Sequence, residues 1–247
     1  MARYQVILAY DGSGFAGSQR QASARTVQGE LENALRQLGW AGRAVLLAGR
    51  TDTGVHATGQ AAAFDFDDWT HSAEKLLSAL NAKLPADLAV RKAKTVNADF
   101  HPRFDALSRT YRYRLFQDRL RDPLRERFAW RIPSAMDGEC LWQTAQILLG
   151  THDFASFGSP TSDKGTTTRT VTISEWRKKP DGEWQYEVRA DAFLYRMVRR
   201  LVYVQVAASQ GRCSVKEVEL ALKGRGKLPA GLAPANGLTL TNVEYGS

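Results

Sequence analysis

Two charged residues, two positions apart, raise the question of chemistry. In GRTDTGVHA, residues 49–57, Arg50 and Asp52 flank one threonine and are followed at once by Gly54. If the backbone stays extended there, side chains alternate and the guanidinium and carboxylate point to the same face. An arginine-bound carboxylate stays ionised and oriented, which is what a carboxylate nucleophile or an electrostatic stabiliser requires. A structural ion pair at the root of an ordinary Asp-X-Gly turn explains the same letters. The stretch alone does not choose.

Other stretches offer groups that could serve such a carboxylate. SRTYRYRLFQ, residues 108–117, alternates cations with aromatics: Arg109, Tyr111 and Tyr113 on one strand face, Arg112 and Arg114 on the other. Aromatic rings on a sheet can stack bases while arginines meet phosphates; a half-buried strand with solvated arginines is the plain reading. FLYRMVRRLVY, residues 193–203, reads as a helix with Met197, Leu201 and Val204 on an apolar face and Arg196, Arg199, Arg200 and Tyr203 on another. Cations in the first turns of a helix oppose its dipole, which suggests an acidic partner or ligand nearby. YDGSGFAGSQRQ, residues 10–21, is a glycine-spaced loop without the dinucleotide fingerprint, and GRGKL at 224–228 fails as a phosphate loop at Leu228. Four histidines and two distant cysteines give no zinc spacing. There is no Gly-X-Ser-X-Gly elbow, and the single carboxylate of the 49–57 stretch makes a two-carboxylate glycosidase a weak reading.

The elements that must position these groups follow from periodicity. Strands are predicted at 4–10, 43–48, 59–66 and 88–96, and helices at 27–38 and 72–83, in the order β-α-β-β-α-β of the ferredoxin-like unit. The second half repeats the order: strands at 108–117, 168–178 and 183–192, helices at 136–149 and 194–209, and a last strand LTLTNVEY at 238–245. An extra helix starts at Ser214 with a capping box closed by Glu217. The expected fold is therefore α+β, with two ferredoxin-like halves, 1–104 and 105–247, joined into one mostly antiparallel sheet. Helices would cover one face, with a ligand cleft between the halves.

The bulk numbers bound the partner. The 247 residues carry a net charge of +8 with pI ≈ 9.6, which favours a polyanion, nucleic acid first. Two cysteines make no disulfide framework. The start shows no charged-then-apolar leader and no apolar run approaches a membrane span, so a cytoplasmic protein is expected.

Taken together, YDGSGFAGSQRQ, GRTDTGVHATGQ, FHPRFDALSRTYRYRL, HDFASF and FLYRMVRR, in that order along nearly the whole chain, resemble the tRNA pseudouridine synthase A (TruA) family. The resemblance implies a cofactor-free, metal-free isomerase. It would convert uridine to pseudouridine at positions 38 to 40 of the tRNA anticodon stem-loop, as a homodimer gripping tRNA in basic clefts. By position, Asp52 matches the catalytic aspartate, and Tyr111 the tyrosine that stacks on the target base. Arg50 and Arg199 match arginines close to the aspartate. Gln19, Arg20, Gln21 and His56 match RNA-facing segments, with Arg112, Arg196 and Val198 as further RNA-binding candidates. Four residues depart from the usual pattern: Thr53 stands for alanine, Ser18 for an aromatic, Tyr203 for glycine, and Arg200 for a polar neutral residue.

Overall fold

The computed structural model describes residues 2–160 and 165–246. The chain divides into two compact units, Met1–Leu107 with Thr239–Ser247, and Ser108–Leu238. It is mixed α/β, with mostly antiparallel strands and five α-helices among the described residues.

The first unit contains β1 (Arg3–Tyr10), α1 (Val27–Gln37), β2 (Leu46–Leu47), β3 (His56–Asp65), α2 (Ala73–Asn81) and β4 (Leu88–Val96). Its sheet runs β4-β1-β3-β2, with every neighbour antiparallel. This is the split βαβ arrangement that the element order predicts. α1 starts where Thr26 Oγ1 accepts the Gly29 N–H, and it buries Val27, Leu31, Ala34 and Leu35, the i, i+4, i+7, i+8 stripe of an amphipathic helix. Strand β2 is shorter than the predicted 43–48, and β3 begins three residues earlier than expected. The alanine run Ala61–Ala63 is fully buried, so β3 lacks the alternation that marks a half-exposed strand.

The last strand of the chain, Leu238–Tyr245, falls largely in this unit, where Thr239 and Leu240 pair in parallel with His56 and Ala57. Gly59 permits the approach: a Cβ there would lie 2.1 Å from the Thr241 carbonyl oxygen.

The second unit contains β5 (Ala106–Gln117), β6 (Trp130–Ile132), α3 (Gly138–Gln146), β7 (Gly150–Asp153), β8 (Thr168–Lys178), β9 (Glu183–Ala190), α4 (Met197–Ser209) and α5 (Val215–Leu222). Its order is β5-β9-β8-β7, antiparallel throughout, with β6 parallel on β5. The series β5-α3-β8-β9-α4 repeats the first five elements of unit one. β6 and β7, three and four residues long, are too short to register as periodic patterns. The capping box of α5 forms as expected, Ser214 and Glu217 each satisfying the other's backbone.

α4 differs from its sequence expectation in two ways. It starts at Met197 rather than 194, because Arg196 takes φ 61 and breaks the helical path. It is also buried on most sides, with Val198, Val202, Val206 and Ala207 joining Met197, Leu201 and Val204.

Candidate active site

Asp52 sits at the first corner of a turn. The Val55 N–H donates to the Asp52 carbonyl at 3.1 Å, and Gly54 has φ 80, the value a type II turn needs at its third position. Asp52 is half-buried, Thr53 exposed and Val55 buried. Thr53 occupies the exposed corner, so its side chain needs no packed site.

The residue before the aspartate is fixed from three sides. The Thr51 N–H donates to Ser18 Oγ at 2.8 Å, the Ser18 N–H donates back to the Thr51 carbonyl at 3.1 Å, and Thr51 Oγ1 meets the Tyr10 hydroxyl at 2.9 Å. Burial pushes the Tyr10 phenol up to about 12, so it stays neutral and serves as a brace. Ser18, fully buried, is thus the residue that pins the backbone beside Asp52. Two glycines let these loops touch: a Cβ on Gly12 would lie 2.0 Å from the Val55 carbonyl oxygen, and one on Gly17 2.9 Å from that of Thr51.

The expected Arg50–Asp52 pair does not form. β2 ends at Leu47, residues 48 and 49 bend, and strand alternation no longer governs positions 50–52. Arg50 is exposed and holds no ion pair among the described residues.

His56, matched to an RNA-facing segment, is 4% exposed and works inward. Its Nδ1 accepts the Gly12 N–H at 3.0 Å and lies 3.2 Å from Asp11 Oδ1. Gln19, Arg20 and Gln21 are exposed, as a binding loop requires. Arg20 is anchored at both ends: its N–H donates to Gln28 Oε1 at 2.9 Å and its Nη1 to Glu32 at 2.8 Å. Glu32 is fully buried and also accepts from Gln28 and the Val45 N–H. Sequence reasoning missed this carboxylate because it lies on α1, where a glutamate ordinarily signals only a solvated face.

In the second unit, Tyr111 lies on β5 and is 9% exposed, with its ring edge-on to Phe193 at 5.1 Å and 87°. Phe193 is a second omission; it opens the FLYRMVRR motif, which was the available signal. The opposite face of β5 is ion-paired: Arg112 donates to Glu187 at 3.2 Å and Arg114 grips Glu183 with two bonds at 2.9 and 2.7 Å. Arg112 is thus ion-paired across the strands and remains part-exposed.

Arg196 is the one non-glycine residue with positive φ among the described residues, exposed and stacked over Tyr195 at 4.7 Å. Left-handed backbone in an arginine costs about 1–3 kcal/mol, strain often found at functional positions. Val198 is buried and packs. Arg199 is half-buried; its Nε donates to the Ala233 carbonyl at 2.8 Å while the Ala233 N–H donates back to the Arg199 carbonyl at 3.2 Å. No cluster of three metal-ligating side chains occurs among the described residues, and no helix there is long and apolar enough to cross a membrane.

Comparison with known proteins bears on these arrangements. The family model described as tRNA pseudouridine synthase matches residues 6–105 and 144–246. A tRNA pseudouridine synthase A of Chloroflexus aurantiacus is 40% identical over 99% of this chain and 89% of its own length. One of Methylobacterium sp. (strain 4-46) is 40% identical over 99% and 98%, and one of Listeria welshimeri 37% identical over 99% and 100%. The loop that holds Asp52 and the helix that holds Arg199 lie within the segments matched by the family model, and the alignments to these relatives cover 99% of the chain, so the chain belongs to the tRNA pseudouridine synthase family.

Proposed function

We propose that the protein isomerises uridine to pseudouridine in the anticodon stem-loop of tRNA, at positions 38 to 40, with Asp52 as nucleophile. The observation that carries the reading is the Asp52 turn. A half-buried carboxylate stands at a corner whose backbone is fixed by Ser18, Thr51 and Gly54, beside loops packed at glycine-only distances. Rigid presentation of a nucleophile is what a displacement step needs.

The reaction breaks the N1–C1′ bond, turns the uracil over and joins C5 to C1′. The proton leaves C5 and one is gained at N1, so the product is an isomer and no oxidant or reductant is consumed. The carboxylate adds to C1′ or to C6 and is expelled when the new bond forms. Tyr111, edge-braced by Phe193, offers its ring to a uracil taken out of the stack, an event costing a few kcal/mol. Arg199 supplies a positive charge to the bound RNA. Exposed Gln19, Arg20 and Gln21 form part of the RNA grip, together with Arg196. A charge of +8 suits a polyanionic substrate such as tRNA, and the resemblance implies a cytoplasmic homodimer.

The test is tritium release from tRNA carrying 5-tritiated uridine, with nucleoside analysis of the product. Stoichiometric release with pseudouridine formed and no free uracil supports the reading; free uracil marks a hydrolase, and tight tRNA binding without release marks a non-catalytic RNA-binding module.

A further inference from the structure

Three residues of α4 fasten the same downstream segment. Arg199 exchanges two hydrogen bonds with Ala233, as above. Its neighbour Arg200 donates Nη1 to the carbonyls of Pro229 and Gly231, the latter at 3.0 Å. Tyr203, one turn on, lays its ring against Gly231, where a Cβ would fall 2.1 Å from Cζ. Gly231 has φ 144, so it is glycine on two counts, conformation and space. The tyrosine is held in turn: the Arg212 Nη1 donates to its hydroxyl at 3.1 Å, and the guanidinium carbons of Arg200 and Arg212 lie 5.8 and 5.2 Å from its ring centroid.

Arg200 is half-buried and forms no ion pair among the described residues; its hydrogen bonds there all go to backbone carbonyls. That is an arrangement for holding chain rather than for meeting a phosphate.

On the footing of the role given to Arg199 above, we propose that Arg200 and Tyr203 are positioning residues for Arg199. They fix residues 229–231, which sets the Ala233 carbonyl, and the Nε bond to that carbonyl fixes the plane of the Arg199 guanidinium and hence the direction of its two Nη groups.

Two measurements on full-length protein test this. The first is hydrogen exchange of the Arg199 Nε–H by NMR, assigned through its loss in Arg199→Lys. Exchange is slow in the wild type and at least about tenfold faster in folded Arg200→Gln and Tyr203→Leu, while Arg200→Lys restores protection in part. The second is tritium-release kinetics. Arg200→Gln lowers kcat about tenfold, within the range expected for small misplacements, with KM for tRNA changed less than twofold. The double variant Arg199→Gln/Arg200→Gln is no slower than Arg199→Gln alone, as expected for one residue acting through the other.

Unchanged Nε–H exchange in the folded variants overturns the proposal. So do additive kinetic losses, and so does a raised KM with a shallower salt dependence, which would make Arg200 a direct phosphate contact. If the wild type releases no tritium, the enzymatic reading fails, and the exchange measurement still decides whether Arg200 and Tyr203 hold Arg199.

Discussion

Two regions, one in each unit, are fixed by opposite means: the turn that bears Asp52 and the helix that bears Arg199. Around Asp52, rigidity comes from main chain pressed on main chain: Gly12 against Val55, Gly17 against Thr51, and Ser18 exchanging bonds with Thr51. Around Arg199, rigidity comes from long cationic and aromatic side chains reaching the carbonyls of 229–233. The first arrangement tolerates almost no added atom. The second can be thinned one bond at a time, so it should fail gradually, and the two regions should respond differently to substitutions of similar size.

Among substitutions in these supporting contacts, the largest effect should come from Gly12→Ala. Its methyl would overlap the Val55 carbonyl oxygen, and the shift would be transmitted to the turn bearing Asp52. We expect activity to fall by at least about 100-fold and stability by roughly 1–3 kcal/mol, read by tritium release and denaturant unfolding. Activity within threefold of wild type would show that the close approach does not position the carboxylate.

Thr51→Val should come next. It leaves the Tyr10 hydroxyl without its Thr51 partner in a buried site, a loss of about 1–3 kcal/mol, and should slow turnover about tenfold while tRNA affinity holds. In the second unit, Tyr113→Phe removes only the bond from its hydroxyl to the Pro234 carbonyl, 2.8 Å. About 1 kcal/mol of stability and less than a threefold change in rate are expected. A larger rate effect there than at Thr51 would reverse the comparison.

The smallest effect is on acid stability. The guanidinium of Arg3 holds the Asp65 carboxyl below its ordinary range, and that of Arg25 does the same for Asp87. A depressed folded-state pKa stabilises above the unfolded value, about 3.9, and is lost as pH falls through the folded one. Unfolding midpoints should therefore be flat from pH 7 to about 5 and decline below about 4. Arg25→Gln should shallow that decline in proportion to the Asp87 share, and an unchanged acid limb would show that the pair contributes nothing.

Much of this was legible in the sequence. The strands at 88–96, 168–178 and 238–245 end where periodicity puts them, and the α5 capping box forms residue for residue. These are local signals. Gly54 also announced its turn. The Arg50–Asp52 pair was misread because alternation was extended past Leu47, where the strand had already ended. Glu32 under Arg20, and Arg200 and Tyr203 on the 229–231 segment, could not be read, since their partners lie 12 to 31 positions away and obey no period. Arg196 in the left-handed region was equally hidden, because nothing in an arginine's side chain favours that conformation.

The central claim is that Asp52 performs the displacement while the rest of the chain grips RNA. Its most direct measurement is single-turnover tritium release by Asp52→Ala on tRNA carrying 5-tritiated uridine, alongside tRNA affinity by filter binding. We predict release indistinguishable from background with affinity within about threefold of wild type, since the nucleophile contributes to the reaction and not to the phosphate contacts. Persistent turnover in that variant would contradict the account.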